Sequence, residues 1–175
     1  MTKLNTLHLV SIITATFVHA EVRLPSIFSN NMVLQQGIEC PMWGWADPGE
    51  KVTVTVNGKE HNAVADKSSQ WRVKLQKLET SNDPIAITIQ GKNSIELKNV
   101  LIGEVWVCSG QSNMGFPVAA ANDPDLEQLS ANYPNIRLIS IPRMGTQEPQ
   151  DDFDGQWEAC TPDTVGQFSA VGYFF

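Results

Sequence analysis

The stretch Val100-Leu101-Ile102-Gly103-Glu104-Val105-Trp106-Val107-Cys108-Ser109-Gly110 decides the fold. Its first nine residues are almost continuously apolar, which is typical of a strand covered on both faces, as in a parallel α/β sheet. A helix start follows, with Asp123 as the predicted cap and Pro124 at the first helical position. Residues 136–141 predict a second strand. A strand, a crossover and a strand indicate the start of a doubly wound sheet.

Before this stretch, apolar and polar residues alternate in short runs separated by turns. Val52, Val54 and Val56 alternate with two threonines, and Asn57-Gly58 then supplies the residues that a tight hairpin turn prefers. The same alternation occurs at residues 71–75, 85–89 and 95–98. The sequence therefore predicts a small antiparallel β module, sandwich-like, over residues 21–99.

The first twenty residues have the pattern of a secretory signal peptide. Lys3 supplies a positive start, the stretch from Leu7 to Val18 is largely apolar, and Ala20 is a small residue at the expected cleavage site. We therefore predict a signal peptide at 1–20 and a secreted, periplasmic or lumenal protein. No later segment is long and apolar enough to cross a membrane, so no membrane association is expected after cleavage.

Composition excludes some partners and leaves others open. The chain has 175 residues, 42% of them hydrophobic, which suffices for a packed core. Its 12 basic and 19 acidic residues give a net charge of −7 without a basic cluster, so nucleic acid is not an expected partner. The cysteines Cys40, Cys108 and Cys160 form neither a CxxC pair nor a zinc-binding pattern, and neither a metal nor a cofactor is predicted.

The carboxyl-terminal end of the chain is apolar. Residues 144–163 predict a surface loop around Trp157, and residues 168–175 predict the first turns of a buried helix. A domain that ends in Tyr173-Phe174-Phe175, with no polar cap, would leave a large apolar surface uncovered. We therefore expect this chain to be an amino-terminal fragment of a longer protein.

Ser112 lies four residues after the end of the predicted buried strand. At the carboxyl edge of an α/β sheet, such a turn presents a side chain to an open crevice, where backbone N–H groups can receive an oxyanion. The placement suits a nucleophile. Ser112 and Asn113 are also common turn and capping residues, and the spacing alone favours that interpretation. Met114 excludes the GxSxG pattern.

Resemblance to a known family favours the interpretation of Ser112 as a nucleophile over that of a turn residue. The twelve residues Gly103-Glu104-Val105-Trp106-Val107-Cys108-Ser109-Gly110-Gln111-Ser112-Asn113-Met114 resemble the first catalytic block of the sialate O-acetylesterases, a branch of the SGNH hydrolases. Asn31–Gln35, Trp43-Gly44 and Pro48-Gly49 resemble the family's β-rich amino-terminal part, and Phe168–Val171 gives further resemblance near the end of the chain. The resemblance implies that residues 100–175 are the amino-terminal part of an SGNH-type three-layer, parallel-sheet hydrolase domain.

The resemblance also implies a chemistry. Ser112 would attack an acetyl ester of sialic acid or a related acetylated sugar, forming an acetyl-enzyme that water hydrolyses, while its backbone N–H holds the oxyanion. Gln111 and Asn113 are candidate substrate-binding residues. In the family, the other oxyanion donors and the Asp/His pair lie in later blocks, which are absent from this sequence.

The histidines agree with an incomplete site. His8 and His19 lie in the predicted signal peptide, and His61 lies in the β module, where an exposed hairpin position is expected. No histidine follows Ser112, and a serine without a base is a weak nucleophile, so we expect this chain alone to be nearly inactive.

The alternative function is a carbohydrate-binding or scaffold protein with a degenerate hydrolase domain. A downstream Asp-x-x-His-like pair would favour the enzyme, and a genuine stop after Phe175 the alternative.

Other reactive or aromatic side chains are predicted to be structural. Cys108 ends an apolar run and is expected to be buried. Trp71 is expected in the core of the β module and Trp106 in the core of the strand. Asp151, Asp152 and Asp154 lack the ligand spacing of a calcium loop, which favours a solvated face.

Overall fold

The computed structural model describes residues 21–175, so the predicted signal peptide lies outside the described residues. In chain order, the strands are β1 (Val33–Gln35), β2 (Cys40–Trp45), β3 (Lys51–Val56), β4 (Lys59–Val64), β5 (Gln70–Leu75), β6 (Ser81–Gln90), β7 (Ser94–Gly103), β8 (Tyr133–Leu138) and β9 (Glu158–Cys160). The helices are α1 (Pro124–Ser130) and α2 (Ala170–Phe174), and 3₁₀ turns lie at Val118–Ala120 and Val165–Gln167.

The first seven strands form two sheets that share a core. One sheet has the order β1-β7-β6-β3-β4, and β2 pairs antiparallel with β5 in the other. The alternation in the sequence explains the packing, because every second residue of β3 and β5 is buried. Trp71 is 2% exposed there, which confirms its predicted place in the core. The parallel pairing of β1 with β7 makes the larger sheet mixed rather than purely antiparallel.

The β3–β4 hairpin has the turn that its sequence predicts. Val56 pairs with Lys59, which leaves Asn57 and Gly58 as a two-residue loop. Their φ angles are 49° and 73°. A type I′ turn needs positive φ at both positions, and asparagine and glycine adopt this conformation most readily. His61 lies on β4 of this hairpin, as expected, but its side chain is half-buried and not exposed.

The stretch that was expected to form one continuous buried strand divides into two parts. Residues up to Gly103 belong to β7, where Leu101 and Ile102 are buried beside β1. Residues 104–110 belong to no strand, and Val107 is 90% exposed. The difference arises because β1 ends at Gln35, so the later residues have no neighbouring strand among those described. The predicted domain boundary after residue 99 falls inside β7, and the division into domains stays a prediction.

The carboxyl-terminal part follows the prediction only in outline. Helix α1 begins at Pro124, as expected, but Asp123 makes no side-chain cap: it has φ 49°, and its carboxylate accepts a hydrogen bond from Asn122 instead. The second strand lies at Tyr133–Leu138 rather than at 136–141 and pairs antiparallel with β9. Within residues 21–175, β8 has no parallel partner, and the three-layer parallel sheet stays a prediction.

Trp157 corrects the prediction of a surface loop. Most of residues 144–156 are exposed, but Trp157 is 8% exposed and packs with the core of the β module. Its indole Nε1 donates a hydrogen bond to the Ile27 carbonyl at 2.9 Å. The polar neighbours of Trp157 in sequence could not show that the loop crosses the β module. No helix in residues 21–175 has the length and apolar character to span a membrane.

Candidate active site

Ser112 lies at the surface in a compact turn. Three successive backbone hydrogen bonds form this turn, from the N–H groups of Met114, Gly115 and Phe116 to the carbonyls of residues 111, 112 and 113, at 3.0, 3.1 and 3.1 Å. Ser112 is exposed, and its Oγ has no hydrogen-bond partner among residues 21–175. The hydroxyl is therefore free to approach a substrate and to donate its proton to a base.

The amino-terminal edge of the turn offers backbone donors. Because each carbonyl in the turn accepts from a residue three positions later, the first N–H groups are left over, as at the start of a helix. Within the described residues, the N–H groups of Ser112 and Asn113 have no protein acceptor. Such donors can stabilise an oxyanion that forms beside Ser112 Oγ. Gln111 and Asn113 are exposed on either side, and their binding role stays a prediction.

The turn is held against the segment that begins α2. The Ala170 N–H donates to the Phe116 carbonyl at 2.8 Å, and the Val118 N–H donates to the Phe168 carbonyl at 3.0 Å. Ser169 caps α2 by accepting from the Gly172 N–H, and its Oγ also lies 3.4 Å from the sulfur of Met114. The turn therefore has a rigid support on its carboxyl-terminal side.

Sequence reasoning missed two residues in this region. Ser169 was noticed only as part of a family block, although a serine just before an apolar helical run is an N-cap signal. Arg143 follows the second predicted strand, and its guanidinium packs so closely on Gly115 that a β-carbon there would overlap it. No local pattern indicates this contact, because 28 positions separate the two residues.

The one histidine of the described residues, His61, lies on a strand distant from the one that leads to Ser112. A serine hydroxyl needs a neighbouring base to become a good nucleophile. His61 lies on β4, and β6 and β3 separate β4 from β7, the strand that leads to Ser112. Three strand spacings correspond to about 14 Å. Residues 21–175 therefore contain an exposed serine beside unpaired backbone N–H groups, and no histidine contacts that serine.

Trp106 and Cys108 are exposed, contrary to prediction. Trp106 is 67% exposed, and its ring meets that of Phe175 edge to face at 5.0 Å. Cys108 is an exposed free thiol beside Gly172. Both expectations assumed a strand covered on two faces, and this segment has no such cover within residues 21–175. A cavity of about 590 Å³ lies along its inner side, lined also by β8 and by Tyr173. Ser112 does not line this cavity.

Cys40 and Cys160 are buried free thiols. Desolvation raises the pKa of each thiol, although each also has a hydrogen bond that lowers it. Raised pKa values keep both groups protonated near neutral pH, so neither resembles a reactive thiolate.

The three aspartates of the long loop are exposed, as predicted. Asp152 has a structural contact that the sequence did not reveal, since its Oδ1 accepts from the N–H groups of Ser26 at 2.7 Å and of Phe153 at 2.8 Å. Desolvation raises the pKa of Asp152, but these hydrogen bonds outweigh it, and the pKa is lowered overall. Asp152 thus stays ionised and fastens the loop to the β module.

The fold matches that of a known esterase. A solved structure of a carbohydrate acetylesterase from Xanthomonas citri superposes with a TM-score of 0.84 and 34% sequence identity, covering 87% of this chain and 36% of that chain. The described fold is therefore that of part of a carbohydrate acetylesterase. No protein-family model matches the chain.

Curated relatives refine this class. The sialate O-acetylesterase of Pongo abelii is 32% identical over 168 residues, and that of Homo sapiens is 30% identical over 168 residues. These matches confirm the resemblance to the sialate O-acetylesterase family over 87% of the chain. The chain spans about a third of the length of these relatives, 31% in each case.

Proposed function

We propose that this protein is a carbohydrate esterase that removes O-acetyl groups from sialic acid or a related acetylated sugar through a serine acetyl-enzyme. The observation that carries the proposal is the exposed Ser112 hydroxyl beside two unpaired backbone N–H groups, in a chain similar to sialate O-acetylesterases. The relatives support esterase chemistry on acetylated sugars, and the geometry of the turn supports Ser112 as the nucleophile.

In the proposed reaction, Ser112 Oγ attacks the acetyl carbonyl carbon while a base takes its proton. The carbonyl oxygen becomes an oxyanion, which the N–H groups of Ser112 and Asn113 stabilise. The carbon–oxygen bond to the sugar then breaks, and the protonated base returns its proton to the leaving alkoxide. Water attacks the acetyl-enzyme in the same way and releases acetate. In this proposal, Gln111 and Asn113 contact the sugar.

We further propose that a histidine with an orienting aspartate acts as the base and lies outside the described residues, as the family resemblance implies. Neither metal nor organic cofactor takes part in the proposal, since serine, base and backbone donors suffice for ester hydrolysis. Residues 21–175 alone are then expected to show little activity, because removal of the base from such a site costs several orders of magnitude in rate.

The test uses protein expressed from the complete coding sequence. Acetate release is measured with O-acetylated sialic acid, acetylated xylan and 4-nitrophenyl acetate. Ser112→Ala is expected to lower kcat by about 10³-fold or more on every substrate that the protein hydrolyses. Ser109→Ala is the matched control, because Ser109 is another exposed serine of the same segment. Full activity in Ser112→Ala would refute the assignment of the nucleophile.

The same assay decides the substrate and the alternative function. A higher kcat/KM on O-acetylated sialic acid than on acetylated xylan would assign the sugar. A protein that binds these sugars but releases no acetate would instead be a binding or scaffold protein.

We also propose that the protein is exported and loses residues 1–20. The mass of the secreted protein tests this, and a chain that begins at Glu21 is the expected result.

A further inference from the structure

Two glutamines at the end of β1 hold the start of the segment that carries Ser112. The nucleophile segment is defined here as residues 104–112. Gln35 Nε2 donates to Glu104 Oε2 at 3.0 Å, and Gln36 Nε2 donates to Glu104 Oε1 at 2.5 Å. Gln35 Oε1 accepts from the Val105 N–H at 2.8 Å. Gln35, Gln36 and Glu104 together form what we call the glutamine clamp.

The clamp extends the pairing of β1 with β7 beyond the point where the backbones separate. Ladder pairing ends at Gln35 and Gly103, and the Gln36 N–H still donates to the Gly103 carbonyl at 2.9 Å. The chain then turns away at Gly37, which has φ 72°. From there the Gln35 amide oxygen replaces a strand carbonyl as the acceptor for Val105. The side chain thus fixes two residues that no strand holds.

Both oxygens of Glu104 are used in the clamp. The hydrogen bonds from Gln36 and, to a smaller degree, from Gln35 lower the pKa of the Glu104 carboxyl. Glu104 is therefore ionised at neutral pH, and hydrogen bonds to an ionised acceptor are stronger and shorter than neutral ones. Gln35 is half-buried, and both ends of its amide have partners. Its NH₂ group donates to Glu104 and its oxygen accepts from Val105, so the orientation of the amide is fixed.

Apart from the contacts of Trp106 with Phe175 and of Cys108 with Gly172, the nucleophile segment has little that could set its path. Residues 104–110 belong to no helix or strand and are exposed. The segment is held at its start by the clamp, and the turn that follows it is held by the backbone bonds of Phe116 and Val118 to residues 170 and 168. In a serine hydrolase the nucleophile must meet its base within hydrogen-bond distance, and a displacement of about 1 Å can cost about 10²-fold in rate.

We propose that Gln35, Gln36 and Glu104 are positioning residues: the glutamine clamp sets the direction in which the nucleophile segment leaves the sheet, and thereby the place of Ser112 relative to its base. The inference rests on the proposed function, and it assigns the amino-terminal β module a part in the reaction. Glu104 itself lies at the opposite end of the nucleophile segment from Ser112 and acts through the backbone.

Reversal of the hydrogen-bond polarity tests the clamp. In Glu104→Gln, one of the two carboxylate oxygens that accepted from Gln35 and Gln36 becomes an amide NH₂, which cannot accept. In Gln35→Glu, the new carboxylate faces the carboxylate of Glu104. In the double variant, the new carboxylate at 35 accepts from the Val105 N–H and from the new amide at 104, whose oxygen still accepts from Gln36. Every hydrogen bond of the clamp is therefore restored, and donor and acceptor are exchanged only in the bond between residues 35 and 104.

The expected result in protein from the complete coding sequence is a fall in kcat of about 10- to 100-fold in each single variant. KM should change by less than about threefold, since the clamp is proposed to act through the backbone and not by contact with the substrate. The double variant should recover to within about threefold of the parent. Glu39→Gln is the matched control, because Glu39 is an exposed carboxylate with only a 3.7 Å ion pair to Lys74. It should leave kcat unchanged.

Hydrogen exchange measures the clamp without reference to activity. The Val105 amide should exchange at least about tenfold faster in each single variant and return towards the parent rate in the double variant. Unchanged exchange in the single variants would overturn the clamp. Faster exchange with unchanged kcat would overturn its positioning role.

Loss of activity in Ser112→Ala but not in the clamp variants would leave the proposed function standing and refute this inference alone. If Ser112→Ala remained fully active, the proposed function would fall, and the exchange rates would decide the clamp.

Discussion

Replacement of Arg137 by methionine should loosen the carboxyl-terminal part of the chain from the β module. Arg137 lies on β8 and reaches Asn31, in the turn before β1, and Asn99, in β7. Its Nη1 donates to the carbonyls of Asn31 at 3.3 Å and Asn99 at 3.2 Å, and its Nη2 donates to the Asn99 side-chain oxygen at 3.2 Å. Asn31 and Asn99 both have positive φ angles, of 67° and 57°, which turn their carbonyls towards one donor.

The magnitude follows from these three hydrogen bonds, because the fourth, from Arg137 Nε to the Pro134 carbonyl at 2.9 Å, is exposed and stays within β8. Each contributes about 1 kcal/mol net, and water can partly replace the lost donor because Arg137 is only half-buried, so Arg137→Met should lower the free energy of unfolding by about 2 kcal/mol. Methionine keeps most of the aliphatic packing and removes the donors. For a chain of this size the loss corresponds to a fall in Tm of about 4–8 °C.

The assay is urea unfolding followed by circular dichroism, with a thermal melt in parallel. Arg72→Met is the matched control, since the Arg72 guanidinium is exposed and lies only over the Trp43 ring at 5.7 Å. It should cost less than about 0.5 kcal/mol. Equal effects of the two substitutions would refute the argument that Arg137 fastens β8 to the β module.

Three further predictions concern the β module and the buried thiols. Trp157→Phe should destabilise the fold by about 1–3 kcal/mol in urea unfolding, since it removes the indole donor and leaves a cavity; an effect below 0.5 kcal/mol would contradict its role in the core. Gly58→Ala should cost about 1 kcal/mol through its φ of +73°, and an unchanged melting temperature would argue against the type I′ turn. Cys40 and Cys160 should resist a thiol reagent at pH 8 and react once guanidinium unfolds the chain. Because their folded pKa values are raised, their contribution to stability is present below the unfolded value, near 9.0, and is lost as pH rises above it; rapid labelling of the native protein would disprove their burial.

Local signals predicted the β module well. Alternation in residues 52–56 and 71–75 indicated strands with one buried face, and the structure has them as β3 and β5. Asn57-Gly58 indicated a tight hairpin, because few residues tolerate positive φ. Pro124 marked the start of α1 correctly. Each of these features depends on neighbours within a few positions.

Predictions that needed distant neighbours were less accurate. The run from Val100 to Cys108 indicated one buried strand, but apolar residues become buried only where another element covers them, and within residues 21–175 only the part up to Gly103 has neighbouring strands. Trp106 and Cys108 were misplaced for this reason. For Trp157 the error was the opposite: it was expected in a surface loop and is buried. Its indole donates a hydrogen bond to the carbonyl of Ile27, which lies 130 positions earlier.

In the candidate site, too, local features could be predicted from the sequence and contacts between distant segments could not. The sequence by itself determined that a serine follows the strand within a block resembling sialate O-acetylesterases, and that no histidine comes after it. Only the tertiary structure decided that the N–H groups beside Ser112 are unpaired, that Ser169 supports the turn, and that Gln35 and Glu104 join across 69 positions. The physical reason is that local backbone preferences fix a turn or an alternating strand, whereas the hydrogen bonds around the Ser112 turn and Glu104 join segments that meet only after the sheets have packed.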